Sequence, residues 1–237
     1  MVSLAEKMAA NLDMSAFGKA EELKKRLWFT VLALIVFRLG TFIPLPGIDP
    51  KILADIFSRN SNGILGMFNM FAGGALERMT IFALNIMPYI SASIILQLGQ
   101  SVVPSLAALK KEGEAGHRKI VHYTKVLTVL ITIIQGYGIA VGLEGMVGSA
   151  GLSAVVMPGF VFKFTTIVSL VGGTMFIVWL GDQITSRGVG NGSSLIITVG
   201  IIANIPTALA QTFELGRVGS MSLWVILLLM VMVLVLI

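Results

Sequence analysis

Six apolar runs dominate this chain, at residues 27–45, 79–103, 123–143, 160–180, 193–210 and 221–237, and none of the six holds an Asp or Glu. Crossing the hydrocarbon of a bilayer as an α-helix takes about 20 mainly apolar residues, and a backbone in lipid must satisfy its own polar groups. Runs of this length predict six transmembrane helices and an all-α polytopic membrane protein. Composition agrees: 56% of residues are hydrophobic and 12% charged, with a mean hydropathy of +0.92, well outside the soluble range.

The loops set the orientation. Eleven basic residues fall on one side of the six runs: Lys7, Lys19, Lys24, Lys25 and Arg26 in the tail, Lys110, Lys111, Arg118, Lys119 and Lys125 after the second run, and Arg187 after the fourth. Only Lys51, Arg59, Arg78, Lys163 and Arg217 fall on the other. The positive-inside rule therefore puts the N-terminus in the cytoplasm. The formal net charge of +5 is read as a topology signal, although a basic cytoplasmic loop could also meet ribosomal RNA or an acidic protein. The tail itself is not a secretory signal, because Glu6, Asp13, Glu21 and Glu22 precede the first run. Leu4, Met8, Leu12, Leu23 and Leu27 recur at helical spacing, which fits a helix lying on the membrane surface or a solvated helical tail. The sixth run stops at Ile237 in full apolar register, so the chain is expected to be incomplete.

Within this frame several residues stand out. The first run ends in RLGTFIPLPG, where Pro44 and Pro46 terminate the helix. Arg38 inside that run must face a protein interior or cavity, or snorkel to the headgroups; both readings stay open. The apolar stretch from Ile64 to Phe71, followed by Gly73 and Gly74, is too short to span, and fits a re-entrant half-helix or a helix lying flat at the interface. In the second run Pro88 removes a backbone donor, while Asn85, Ser91, Ser93 and Gln97 add polar groups. Ile86 and Ile90 lie four apart on one face, a spacing that by itself signals packing.

Several chemistries are excluded. The GVGNG run after the fourth span lacks a P-loop Lys-Ser/Thr and does not follow a strand, which argues against nucleotide binding. WLGD, ending at Asp182, lacks the first glycine of the intramembrane aspartyl-protease pattern. The absence of carboxylates from the middle of the runs weighs against ion-coupled transport and intramembrane proteolysis. There are no cysteines, and His117 and His122 lie five apart in a polar segment, so neither a disulfide nor a metal site is expected.

Taken in order, IPLPG, FAGGALERMTIFAL, IMPYISASII, KKEGEAGHRKI and WLGDQITSRGVGNGSSLII resemble the N-terminal half of the SecY family, the channel subunits of the bacterial protein-secretion translocon. The resemblance runs from about Leu27 to Met221. It implies a clamshell of two inverted five-helix halves around an hourglass pore, of which this chain would supply one half and the start of the second. The implied order is a cytoplasmic segment at 1–26, a first span at 27–45, an outer loop at 46–78 with a plug helix near 64–74, and a second span at 79–103. A basic cytoplasmic loop at 104–122 follows, then spans at 123–143 and 160–180, a cytoplasmic loop at 181–192, and spans at 193–210 and 221–237.

The implied function is that of a passive channel, not an enzyme, with no cofactor, catalytic residue or metal. It would pass unfolded secretory polypeptides across a bacterial cytoplasmic (inner) membrane and release membrane proteins sideways into lipid. The ribosome with its nascent chain, the SecA ATPase or the proton-motive force would drive it. SecE and SecG would be its companion subunits, signal sequences its ligands, and YidC, SecDF, membrane lipid and ribosomal RNA further contacts. By resemblance, Ile86, Ile90 and Ile197 join an aliphatic pore ring that limits leakage by dewetting. Ser193 occupies a ring slot that is aliphatic in some relatives. Ile64, Leu65, Gly66, Met67, Phe68, Asn69, Met70, Phe71, Ala72, Gly73 and Gly74 would form the plug, with Gly73 and Gly74 as its hinge. Ser91 and Gln97 would lie at the lateral gate, and Lys110, Lys111, Arg118 and Lys119 would contact cytoplasmic partners.

Overall fold

The computed structural model describes residues 21–59, 74–146, 153–203, 205, 206 and 210. Seven helices cover most of them: α1 (Glu21–Gly40), α2 (Pro50–Arg59), α3 (Met87–Val102), α4 (Pro104–Lys111), α5 (Glu114–Glu144), α6 (Phe160–Arg187) and α7 (Gly192–Ile202). Local signals explain the boundaries. Asp49 and Asn191 act at two of them. The Lys51 N–H donates to Asp49 Oδ1 at 2.9 Å, an N-cap beside a proline in the first turn of α2. Asn191 Oδ1 caps α7 by accepting the Ser194 N–H at 3.2 Å.

α6 is the hub, contacting α5, α1 and α7; α3 packs on α5, and α4 on both α3 and α5. The α5–α6 seam works because one side of α5 is small. Thr124, Thr128, Thr132, Gly136 and Ala140 are buried at four-residue intervals, the spacing that lets membrane helices approach closely. The hydroxyls of Thr124, Thr128 and Thr132 each donate to the carbonyl four residues earlier, at 2.7 to 2.9 Å. Their polarity is thereby satisfied inside the helix.

Two apolar clusters fill the interior. One joins Leu45, Leu53, Met79, Leu143 and Phe162 near the α5–α6 connection. The other joins Phe37, Phe82, Ile86, Ile177, Ile184 and Ile196 toward the opposite end.

Among the described residues two helices, α5 and α6, are long and apolar enough to cross a membrane, and three if α3 and α4 count as one span bent by 96°. Val103 and Pro104 make that bend, since Pro104 cannot donate into the preceding turn. α1 ends at Gly40, short of the expected 45, and α2 lies in the expected outer loop; the helical bounds differ from the sequence expectations in two further ways. First, the ladders of α5 and α6 run past the apolar runs into the flanking polar residues, so the segments expected as loops at 104–122 and 181–192 are largely helical. Second, the run at 79–103 is a helix only from Met87 onward.

Residues 74–86 form a chain of turns instead, with positive φ at Gly74, Met79 and Asn85. Pro88 accounts for part of this: its ring would oppose the carbonyl of residue 84 in a continuous helix, so it sits in the first turn of α3. Tertiary contacts account for the rest. The Leu45 N–H donates to the Met79 carbonyl at 2.9 Å, and the Ile81 N–H to the Ile43 carbonyl at 3.1 Å. The Phe82 ring lies on Gly40 of α1, and the Ile81 carbonyl on Gly173 of α6, both too close to admit a Cβ. The sixth run and residues 1–20 of the tail expected at 1–26 lie outside the described residues, while 21–26 belong to α1.

Candidate functional site

Phe82 anchors the middle of the molecule. Its ring stacks on Phe37 at 6.0 Å and on Phe176 at 5.9 Å, and Phe176 meets the exposed Trp179 at 5.7 Å. Four residues on, Ile86 is fully buried in the same cluster as Ile177 and Ile196. Ile90 and Ile197 are half-buried against that cluster. The three isoleucines singled out in the sequence therefore share one apolar nucleus, with Ile86 inside it and the other two at its edge.

A cavity of about 530 Å³ opens beside this nucleus, between α3, α4, α5 and the junction of α6 with α7. Its wall is polar. Tyr89, Ser93, Gln97 and Gln100 line it from α3, Lys110 from α4, His117 and Thr124 from α5, Asp182 and Thr185 from α6, and Asn191 and Ser193 from the junction. Tyr89 both lines the cavity and packs on the apolar nucleus. Ser193 lies one turn before Ile197, so both helices pass from polar wall to aliphatic edge within a turn. The cavity thus adjoins the apolar nucleus at Tyr89.

The expected gate residues separate. Gln97 lines the cavity and its Nε2 donates to Ser93 Oγ at 3.1 Å. Ser91 is half-buried; two residues from Ser93, it is turned by about 200° to another face of α3. The basic candidates cluster where α4 meets α5 through Gly113, whose φ is +68°. Lys110, Lys111, Arg118 and Lys119 are all exposed. Lys119 pairs with Glu112 at 2.9 Å, and Arg118 stands 3.8 Å from Glu114. Residues 64–73 of the plug candidate lie outside the described residues. Its last member, Gly74, has φ +80°, a conformation in which glycine carries no Cβ penalty.

Arg38 lies in the last turn of α1. It is half-buried, with its guanidinium carbon 5.2 Å from the centroid of the exposed Phe42 ring, and Arg78 lies over the same ring at 4.5 Å.

The Gly-rich connection is a packing device. The Val189 N–H donates to Thr30 Oγ1 of α1 at 3.0 Å, and the Gly192 N–H donates to Thr185 Oγ1 at 2.9 Å. Gly192 rests on the Gly181 backbone. These contacts hold the start of α7, and with it Ser193 and Ile197, against α6.

Sequence reasoning missed Tyr89 and Asp182 as cavity residues. It also missed the ion pair that Asp182 makes with Lys125, at 2.7 Å, and the one between Glu144 and Lys163, at 3.0 Å. Lys125 and Lys163 entered only as topology markers, yet each faces a carboxylate on the neighbouring helix.

A family model described as SecY matches residues 80–237. The protein translocase subunit SecY of Escherichia coli is 56% identical over 219 residues, covering 92% of this chain and 49% of that protein. The corresponding subunit of Buchnera aphidicola is also 56% identical, with coverages of 92% and 61%. That of Rickettsia bellii is 53% identical over 203 residues, with coverages of 86% and 47%. The chain thus spans about half the length of most of these curated relatives. A solved structure of a protein-conducting channel superposes with a TM-score of 0.53 at 18% identity, over 82% of this chain and 38% of that one. The channel of a canine ribosome–channel complex from the endoplasmic reticulum gives the same values. These last two likenesses speak to the fold.

Proposed function

The chain belongs to the SecY family, and on that premise we propose that it forms one half of a protein-conducting channel that passes unfolded polypeptides across a membrane and releases apolar segments sideways into lipid. The observation that carries this reading is the meeting of the polar cavity with the apolar nucleus of Ile86, Ile90 and Ile197. Aliphatic side chains around a narrow path repel water when the path is empty and yield to a passing chain without binding it. Ile90 and Ile197, at the edge of the nucleus, are the ring residues in this reading. Ile86 supports them from behind in the resting arrangement, and Ser193 is part of the vestibule wall.

The finer assignments rest on the same premise. The stretch 64–74 is the movable seal, hinged at Gly73 and Gly74. Gln97 faces the substrate path and Ser91 the neighbouring gate helix. Lys110, Lys111, Arg118 and Lys119 form a solvated basic surface suited to the ribosome or to SecA. SecE and SecG complete the complex in a bacterial cytoplasmic membrane, with the N-terminus in the cytoplasm. The reading assigns no chemistry on the polypeptide.

A photoreactive residue at position 90 of the complete protein, in membranes holding a stalled secretory chain, tests the proposal. Adducts to the moving polypeptide are expected. Adducts confined to lipid and neighbouring helices would return Ile90 to ordinary packing and remove the ring.

A further inference from the structure

α5 and α6 run antiparallel, and one ion pair closes each end of their seam. Lys125 of α5 meets Asp182 of α6 at 2.7 Å. At the far end Glu144 of α5 meets Lys163 of α6 at 3.0 Å, while its other oxygen accepts the Gly159 N–H at 2.8 Å. Glu144 lies nineteen positions after Lys125, and Asp182 nineteen positions after Lys163. At the helical rise this is about 28 Å, close to the roughly 30 Å of bilayer hydrocarbon. The four side chains are 17 to 40% exposed, as charges at a membrane border would be. Between the pairs the α5 face is made of small residues whose hydroxyls bond within their own helix. Such a smooth face packs closely yet does little to prevent one helix from sliding or turning on the other.

We propose that the two ion pairs are clasps that fix the register of α5 on α6 at both membrane borders, and thereby set how readily α5 leaves the cavity wall. The proposal rests on the channel reading, with its sideways release into lipid, and takes α5, packed beside α3 and its gate residues, as an element that moves when a signal sequence enters. Lys125, Asp182, Glu144 and Lys163 are positioning residues that act through the helix they hold.

The test uses the complete protein with its companion subunits in proteoliposomes. Variants are K125E, D182K and their combination, then E144K, K163E and their combination. Two readouts are followed. One is passage of a reporter with a weakened signal sequence. The other is disulfide formation between G136C and L170C, positions facing each other across the seam, where a Cβ at 136 would lie 3.4 Å from Leu170 Cδ1. This chain contributes no cysteine of its own.

Each single reversal is expected to speed the weak-signal reporter about two- to five-fold, the range for partly exposed ion pairs, and to slow the disulfide. The K125E/D182K double reversal should restore both readouts to within about two-fold, and E144K/K163E, which leaves the Gly159 N–H without its acceptor, should restore them in part. The milder K125Q, expected to act in the same direction, covers a reversal that prevents assembly. Singles that leave both readouts unchanged, or doubles as altered as the sum of their singles, would overturn the clasps. A reporter with an intact signal separates the two levels. If it fails to pass through the unaltered complex, the channel reading falls; if it passes while the variants behave as wild type, only the clasps fall.

Discussion

Gly192 opens α7 with its backbone against α6, and G192A probes that contact directly. A Cβ at this position would stand 2.7 Å from the Gly181 carbonyl carbon and 2.9 Å from its Cα, closer than real side chains come, and would run into the carbonyl oxygen. All three obstacles are backbone, so no rotamer change relieves them and α7 must retreat. Overpacking of this kind costs about 1–3 kcal/mol. The retreat also strains the Gly192 N–H bond to Thr185 Oγ1, 2.9 Å in the native arrangement, which contributes about 1 kcal/mol. Replacing glycine in a helix returns roughly 0.5–1 kcal/mol, leaving a net loss of roughly 1–3 kcal/mol. G138A is the matched control. No atom lies within 4 Å of a Cβ at 138, so only the propensity gain of about 0.5–1 kcal/mol applies. Unfolding of the complete protein in mixed detergent micelles should move in opposite directions for the two variants. Equal stability of G192A and wild type, or an equal loss in both variants, would refute the close α6–α7 approach.

Three further outcomes follow from named contacts. T30V keeps the shape of Thr30 but leaves the Val189 N–H without its acceptor; amide exchange at Val189 should accelerate, and stability should fall by about 1–3 kcal/mol. F82A removes the ring stacked between Phe37 and Phe176 and should cost about 3–5 kcal/mol in the same unfolding assay, whereas F82L should cost visibly less. N191A deletes the cap that accepts the Ser194 N–H; a loss of about 0.5–2 kcal/mol is expected, and no loss would show that the connection is held by Thr30 and Thr185 alone.

The elements most readable in the sequence were those governed by local composition. α5 and α6 follow from long carboxylate-free runs, whereas α1 stops at Gly40, before the two prolines expected to end it, and α2 in the outer loop was not expected. Segment 79–86 was not readable, because its conformation is decided by partners far along the chain. MTIFALNI is compatible with a helix, and it is the bridge to residues 43–45 and the surfaces of Gly40 and Gly173 that hold it in turns. The site divides the same way. Ile86 and Ile90 were marked by spacing and resemblance, and Ile197 by resemblance, and all three fall on one cluster. The cavity wall draws residues from five elements, a set that no window of sequence contains. The lone cations Lys125 and Lys163 read as border markers, and only the antiparallel pairing of α5 with α6 shows the carboxylates they face.

The equal spacing of the two ion pairs makes the lengths of α5 and α6 a shared quantity. Deleting one residue between Lys125 and Glu144 would draw Glu144 back by about 1.5 Å and rotate it by about 100°, turning it away from Lys163. A deletion of equal length in the other helix would move Lys163 in its turn, so neither segment can change size alone without breaking an end. If the clasps hold, what the two helices share is the number of residues between their paired charges, and not only the identity of those charges.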